Sequence, residues 1–249
     1  MGTNSFQLQH THLVFILKKE LCLLKNKNKL LLLEQNMNIM PPSMPDHYCE
    51  FAPSIFLKKK RIHQIFGPAR IRMLLFLGQK ISGPIFWIKS YNDKIFLHPN
   101  AISPWINPNR ITYIYAKKQN DKLWIVENII KDRSSRLVVV NFSNIPNFNS
   151  VRRLNLEIKS NDASQFYPLC IFFTDTQNDI AGVESRWSVK SLPSWSELKG
   201  NCFNLNTERW LFDRTYCRAN SRSKWIITLK NNSKSDLQKK ISVESLGFS

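Results

Sequence analysis

The chain has 249 residues, 43% of them hydrophobic and 12% aromatic, which supplies a core, excludes wholesale disorder and suits one main domain. Lys and Arg number 36 against 18 Asp and Glu, a formal charge of +18, which favours contact with nucleic acid or another polyanion. The sequence is also heavy in Lys, Asn and Ile, as an AT-rich genome produces, so a solvated basic surface without a partner is the competing reading.

Residues 1–50 contain short apolar bursts broken by lysines. Their longest apolar run falls far short of the ~18 residues that span a bilayer, and they lack the continuous apolar segment and cleavage site of a secretory signal. The expectation is a poorly ordered extension, or an over-long start with Met37, Met40 or Met44 as the first residue. A basic amphipathic membrane anchor built on Lys18, Lys19, Lys25, Lys27 and Lys29 is the alternative. No membrane partner and a cytoplasmic location are expected.

Residues 60–230 are expected to form one α/β domain. "RIHQIF" (61–66) and "PIFWIK" (84–89) have the composition of strands, and between them Ile71, Leu74, Leu75, Gly78 and Ile81 recur at helical spacing. "RITYIYA" (110–116) predicts a third strand, and 120–133 a helix capped by Asn120 or Asp121 with Leu123, Val126 and Ile130 on one face. "RLVVVNF" (136–142) is the continuous β-branched run of a central parallel strand. A helix at 149–160 turns Val151, Leu154 and Ile158 inward, and "YPLCIFFT" (167–174) supplies a fifth strand. This alternation predicts a mostly parallel sheet flanked by helices, with ligands at the strands' carboxyl edge. The final third has strand-like pieces without helices and predicts an antiparallel extension; 231–249 is expected to be a polar tail.

The turn "IFGPARIRML" has the strand, glycine turn and helix of a phosphate loop. A GxxxxGK[ST] loop needs a second glycine, a lysine for the outer phosphates and a hydroxyl for Mg²⁺. Counting from Gly67, those places hold Arg72, Met73 and Leu74, and Pro68 removes an amide. The strand-end aspartate that would hold the metal is replaced by Asn141. Only Arg70 or Arg72 could assist an anion here. The five cysteines are scattered without a CxxC pair, and neither HExxH nor GxSxG occurs. No catalytic residue, metal or cofactor is therefore expected.

The strand and helix order resembles the RecA-like ATPase core. The segments "GPARIRMLLFLGQKISGPIFWI", "HPNAISPWINPNRITYI", "LWIVENIIKDRSSRLVVVNF", "VRRLNLEIKS" and "GVESRW" resemble an alphaproteobacterial branch of the ImuA-like proteins, RecA-related accessory factors of damage-induced mutagenesis. The likeness covers about residues 60–230. It implies a Y-family-polymerase-like partner and an error-prone polymerase of the replicative class, and hence an adaptor in translesion synthesis.

Three groups of residues are candidates for contact. In "GVESRW", Glu184, Arg186 and Trp187 could meet a partner; alternatively Glu184 and Arg186 form an internal pair and Trp187 fills core, as large aromatics near strands usually do. Arg152 and Arg153 flank a helix stripe and could touch DNA phosphate or an acidic partner, or form a solvated face. Arg209, Arg214, Arg218, Arg222 and Lys224 interleave with Trp210 and Tyr216, a pattern of single-strand DNA binders and equally of a strand with one buried face. A DNA-stimulated ATPase with a degenerate loop, or a basic single-strand-binding protein, is the alternative function.

Overall fold

The computed structural model describes residues 47–93, 95–132, 135–160, 168–175, 177–196, 202–203, 207–230 and 240–246. Most of the expected N-terminal extension, including Met37, Met40 and Met44, lies outside them, as does most of the expected C-terminal tail.

In chain order the strands are β1 (Tyr48–Ala52), β2 (Ile55–Lys58), β3 (Ile62–Phe66), β4 (Ile85–Lys89), β5 (Ile111–Tyr115), β6 (Leu137–Phe142), β7 (Leu169–Thr174), β8 (Ser185–Leu192), β9 (Trp195–Ser196), β10 (Cys202–Phe203), β11 (Thr207–Cys217), β12 (Ser223–Lys230) and β13 (Lys240–Leu246). The helices are α1 (Arg70–Lys80), α2 (Pro99–Ile102), α3 (Gln119–Asp132) and α4 (Phe148–Ser160). Nine strands form one sheet in the order β13-β12-β11-β8-β3-β7-β6-β4-β5. From β5 to β8 every pairing is parallel; from β8 to β13 every pairing is antiparallel. The chain is thus an α/β protein with a mostly parallel sheet and an antiparallel C-terminal part.

The strands in the middle are apolar because both faces are covered. Leu137, Val138, Val139 and Val140 of β6 are fully buried. One face packs α3 and α4 through Leu123, Val126, Ile130, Val151, Leu154 and Ile158. The other packs α1, the β1–β2 hairpin and residues 102–106 through Phe51, Leu57, Leu74, Phe76, Trp105 and Ile106. That core continues under the antiparallel part, where Trp187, Trp210, Phe212, Trp225 and Ile227 are buried.

The β1–β2 hairpin, the short helix α2 and strand β13 fall where no element was expected. The hairpin begins at Tyr48, inside the 1–50 extension, because Cys49 and Phe51 alternate inward opposite Ile55 and Leu57. Strand β13 falls within 231–249 and packs Ile241 and Val243 against the core. Arg110 closes α1: its guanidinium donates to the carbonyls of Gly78 (2.9 Å), Gly83 (2.8 Å) and Ile81, giving a helix C-terminus both partners and positive charge.

Candidate functional site

The turn after β3 sits at the carboxyl edge of the parallel sheet, between the ends of β7 and β8. Gly67 has φ +99°, and a Cβ there would lie 2.5 Å from the Val189 carbonyl oxygen of β8. The glycine is demanded by close backbone approach within the sheet. The amides that follow are used inside the chain. Ala69 N–H donates to Val189 (3.1 Å), Arg70 N–H to Gly67 (3.3 Å) and Arg72 N–H to Ala69 (2.9 Å).

The first turn of α1 carries arginines and no acid, the wrong charge for the positive end of a helix dipole. Carboxylates from elsewhere in the chain compensate. Asp175, just past β7, accepts from Arg70 Nη2 at 2.6 Å, and Glu208 of β11 pairs with Arg72 at 2.8 Å. Arg72 also stacks on Trp105 and Trp210, its Cζ 5.1 and 4.5 Å from their ring centroids. Burial there pushes its pKa down, opposed by Glu208. Met73 and Leu74 are wholly interior.

At the end of β6, Asn141 is held on three sides. Its Oδ1 accepts from the Trp87 indole (2.8 Å), its Nδ2 donates to the Asp93 carboxylate, and its carbonyl accepts from Lys122 Nζ (2.6 Å). An amide suits this place and an ionised carboxylate does not, because the side chain must accept from the indole while donating to a carboxylate. Lys89 lies alongside, donating to the Ile95 carbonyl at 2.6 Å with its ammonium 3.5 Å from the Phe96 centroid. Burial lowers the pKa of both lysines, opposed by Asp93.

The residues of "GVESRW" separate. Glu184 is buried and pairs with Arg61 (3.2 Å) and Lys58 (3.8 Å), rather than with Arg186. Arg186 pairs with Asp179 at 3.3 Å and stacks on Tyr216 at 4.6 Å. Trp187 is fully buried, stacks on Trp225 and donates its indole N–H to Ser185. Arg152 and Arg153 are exposed on α4, Arg153 pairing with Glu127 at 2.9 Å.

The seven basic and aromatic residues of 209–224 do not share one surface. Trp210 is buried, and Arg214 lies on the same face over Trp187 and Trp225, 5.7 and 5.0 Å from their centroids. Opposite, a groove of about 540 Å³ is lined by Asp179, Arg186, Asp213, Tyr216, Arg222 and Lys224. Arg209 pairs across the sheet with Leu192 and Thr228. Arg218 is exposed beside Arg61 and Arg152 at a smaller cavity of about 230 Å³.

Two further clusters went unread in the sequence. His63 and Ser185 form a buried pair, with Nδ1 2.6 Å from Oγ and Nε2 2.9 Å from the Lys58 carbonyl. Burial lowers the His63 pKa to about 4. Interior and fully bonded, the pair has the character of a structural bridge. Tyr91 and Tyr115 stack in the open at the carboxyl edge; a tyrosine in a polar turn beside one ending a strand was the only signal. Among the described residues no three His, Cys, Asp or Glu side chains converge as metal ligands, and no helix is long and apolar enough to cross a membrane. Compared with models of known protein families and with curated proteins, the chain matches neither.

Proposed function

We propose that this chain is a catalytically silent adaptor on a RecA-like core, acting in translesion DNA synthesis through a Y-family-polymerase-like protein and an error-prone polymerase of the replicative class. The observation that carries the silent part is the turn after β3. It keeps the strand, glycine and helix, while the amides of Ala69 and Arg70 and the guanidinium groups of Arg70 and Arg72 are used within the chain. The Asn141 network supports it too, because the end of β6 presents an engaged amide. The pathway and partners rest on the resemblance carried by "GVESRW" and "VRRLNL". Since Glu184 and Trp187 are interior, Arg152 and Arg153 are the better placed of the partner candidates.

Calorimetry with ATP and Mg²⁺ is expected to give no binding heat at millimolar nucleotide; measurable binding would instead support the DNA-stimulated ATPase. Affinity capture after DNA damage is expected to recover a polymerase-like protein, and recovery of none under inducing conditions would count against the adaptor. The groove on the open face of the extension favours a second reading, a basic single-strand-binding protein. That reading requires salt-sensitive DNA binding that falls when Arg222 and Lys224 are replaced by alanine.

A further inference from the structure

Among the described residues several of the largest aromatic side chains are interior: Trp87, Trp187, Phe51, Phe76 and Phe212 are at most 1% exposed. A group at the carboxyl edge beside β5 is not. Tyr91, in the turn after β4, is 71% exposed, and Tyr115, the last residue of β5, is 36% exposed. Their rings stack with centroids 5.3 Å and planes 21° apart. Phe96, 64% exposed, sits over the Lys89 ammonium, which also lies 5.4 Å from the Tyr115 ring. Exposed Lys117 and Lys118 directly follow this strand end. Of the nearby acids, Asp93 is engaged by Asn141 Nδ2 and the Ile95 amide, and Asp121 accepts from the Lys118 amide.

We propose that this aromatic shelf binds single-stranded nucleic acid, with an unpaired base stacking on the outer face of Tyr91 and neighbouring phosphates meeting Lys117 and Lys118. Any base offers a π face to such a ring, and cations beside the rings follow the backbone. The formal charge of +18 draws a polyanion to the surface. A flat, exposed ring face, with two exposed lysines two and three residues beyond Tyr115 in the chain, suits a base and its phosphates, whereas an aliphatic protein anchor needs a pocket to fill. The shelf lies on the far side of the parallel strands from the groove of the extension, since β5 and β13 are opposite ends of the sheet. It stands independently of the polymerase partner, whose capture is a separate measurement.

The test is fluorescence anisotropy of the full chain with labelled oligothymidylate of about 20 nucleotides, longer than the ~4–16 that one binding module covers. An abasic strand and an oligouridylate of equal length run in parallel. The full chain is expected to bind at least one of the two base-bearing strands several-fold more tightly than the abasic one. Tyr91→Ala is expected to weaken that binding about tenfold, and Tyr91→Trp to retain it, as stacking on an aromatic face requires. The tighter of the two base-bearing strands identifies DNA or RNA as the source. Because Tyr91 is exposed, both variants are expected to keep the far-ultraviolet dichroism of the parent. Equal affinity for the abasic strand overturns the proposal. So does Tyr91→Ala binding like the parent, including the case where it loses a protein partner instead.

Discussion

Replacing Gly67 by alanine separates the two uses a glycine can have in this turn. With φ at +99° and a new Cβ 2.5 Å from the Val189 carbonyl oxygen and 3.1 Å from its nitrogen, two costs arise. An L side chain in that backbone region costs about 1–3 kcal/mol. Relieving contact with backbone, which cannot rotate away as a side chain can, adds about 1–3 kcal/mol of the kind that overpacking causes. A loss of about 3 kcal/mol is a large part of the ~5–15 kcal/mol that holds a domain together. It should lower the melting temperature by about 6–12 °C for a domain of this size and the urea midpoint by about 1–1.5 M at unchanged slope. The assay is urea unfolding followed by tryptophan fluorescence, because Trp187 of the neighbouring strand β8 is buried in the core. A Gly67→Ala protein as stable as the parent would refute the packing account. If that protein also lost a nucleotide affinity present in the parent, the glycine would belong to a working phosphate loop.

Other consequences follow from the buried polar groups. Asn141→Ala leaves the Trp87 indole without its acceptor and Asp93 with the Ile95 amide but without the Asn141 amide, and is expected to cost about 2–4 kcal/mol in thermal or urea unfolding. The His63 pKa is depressed by burial from its ordinary 6.5 to about 4. The unfolded chain therefore takes up the proton first, so this contribution is intact above about pH 6.5 and is lost as pH falls toward 4. Between pH 7 and 5 the loss is about 2 kcal/mol, and His63→Gln should flatten that part of the urea-midpoint profile. Asp175→Asn with Glu208→Gln removes the two carboxylates opposite Arg70 and Arg72. The double variant is expected to melt lower and to regain a few degrees in millimolar inorganic phosphate, as binding linkage requires, while the parent is insensitive.

The fold was most legible where burial on both sides constrains composition. The β-branched run of β6 suits a strand covered on both faces, and the spacing of Val151, Leu154 and Ile158 suits a helix face turned inward. Shorter elements escape such patterns. The β1–β2 hairpin buries three residues of one strand and two of the other around Pro53 and Ser54, the latter at φ +62°. In 99–110 Ile102, Trp105 and Ile106 enter the core from a proline-broken stretch without periodicity. The strand β13 alternates Ile241 and Val243 among lysine and serine, which composition alone assigns to a tail.

The candidate site was legible where its test is local and hidden where it depends on register. That Arg72, Met73 and Leu74 stand in the places of a phosphate loop is plain from counting. Which face Trp210 and Arg214 would take was not, because one residue of slip inverts a strand. In β11 the answer also changes along the strand. Trp210, Phe212 and Arg214 pair with Ser191, Val189 and Trp187 on the core face, and a register shift between Arg214 and Tyr216 then sets Tyr216 opposite Arg186, on the open side. An irregularity of one residue thus puts one aromatic of an evenly alternating run outside and its predecessors inside. The arginines of α1 teach the same lesson about charge. Two cations and no acid at a helix N-terminus suggest an anion, and the anion is there, but it is Asp175 and Glu208 brought from distant strands. A single sequence shows the demand for negative charge; only the fold shows that the chain supplies it itself.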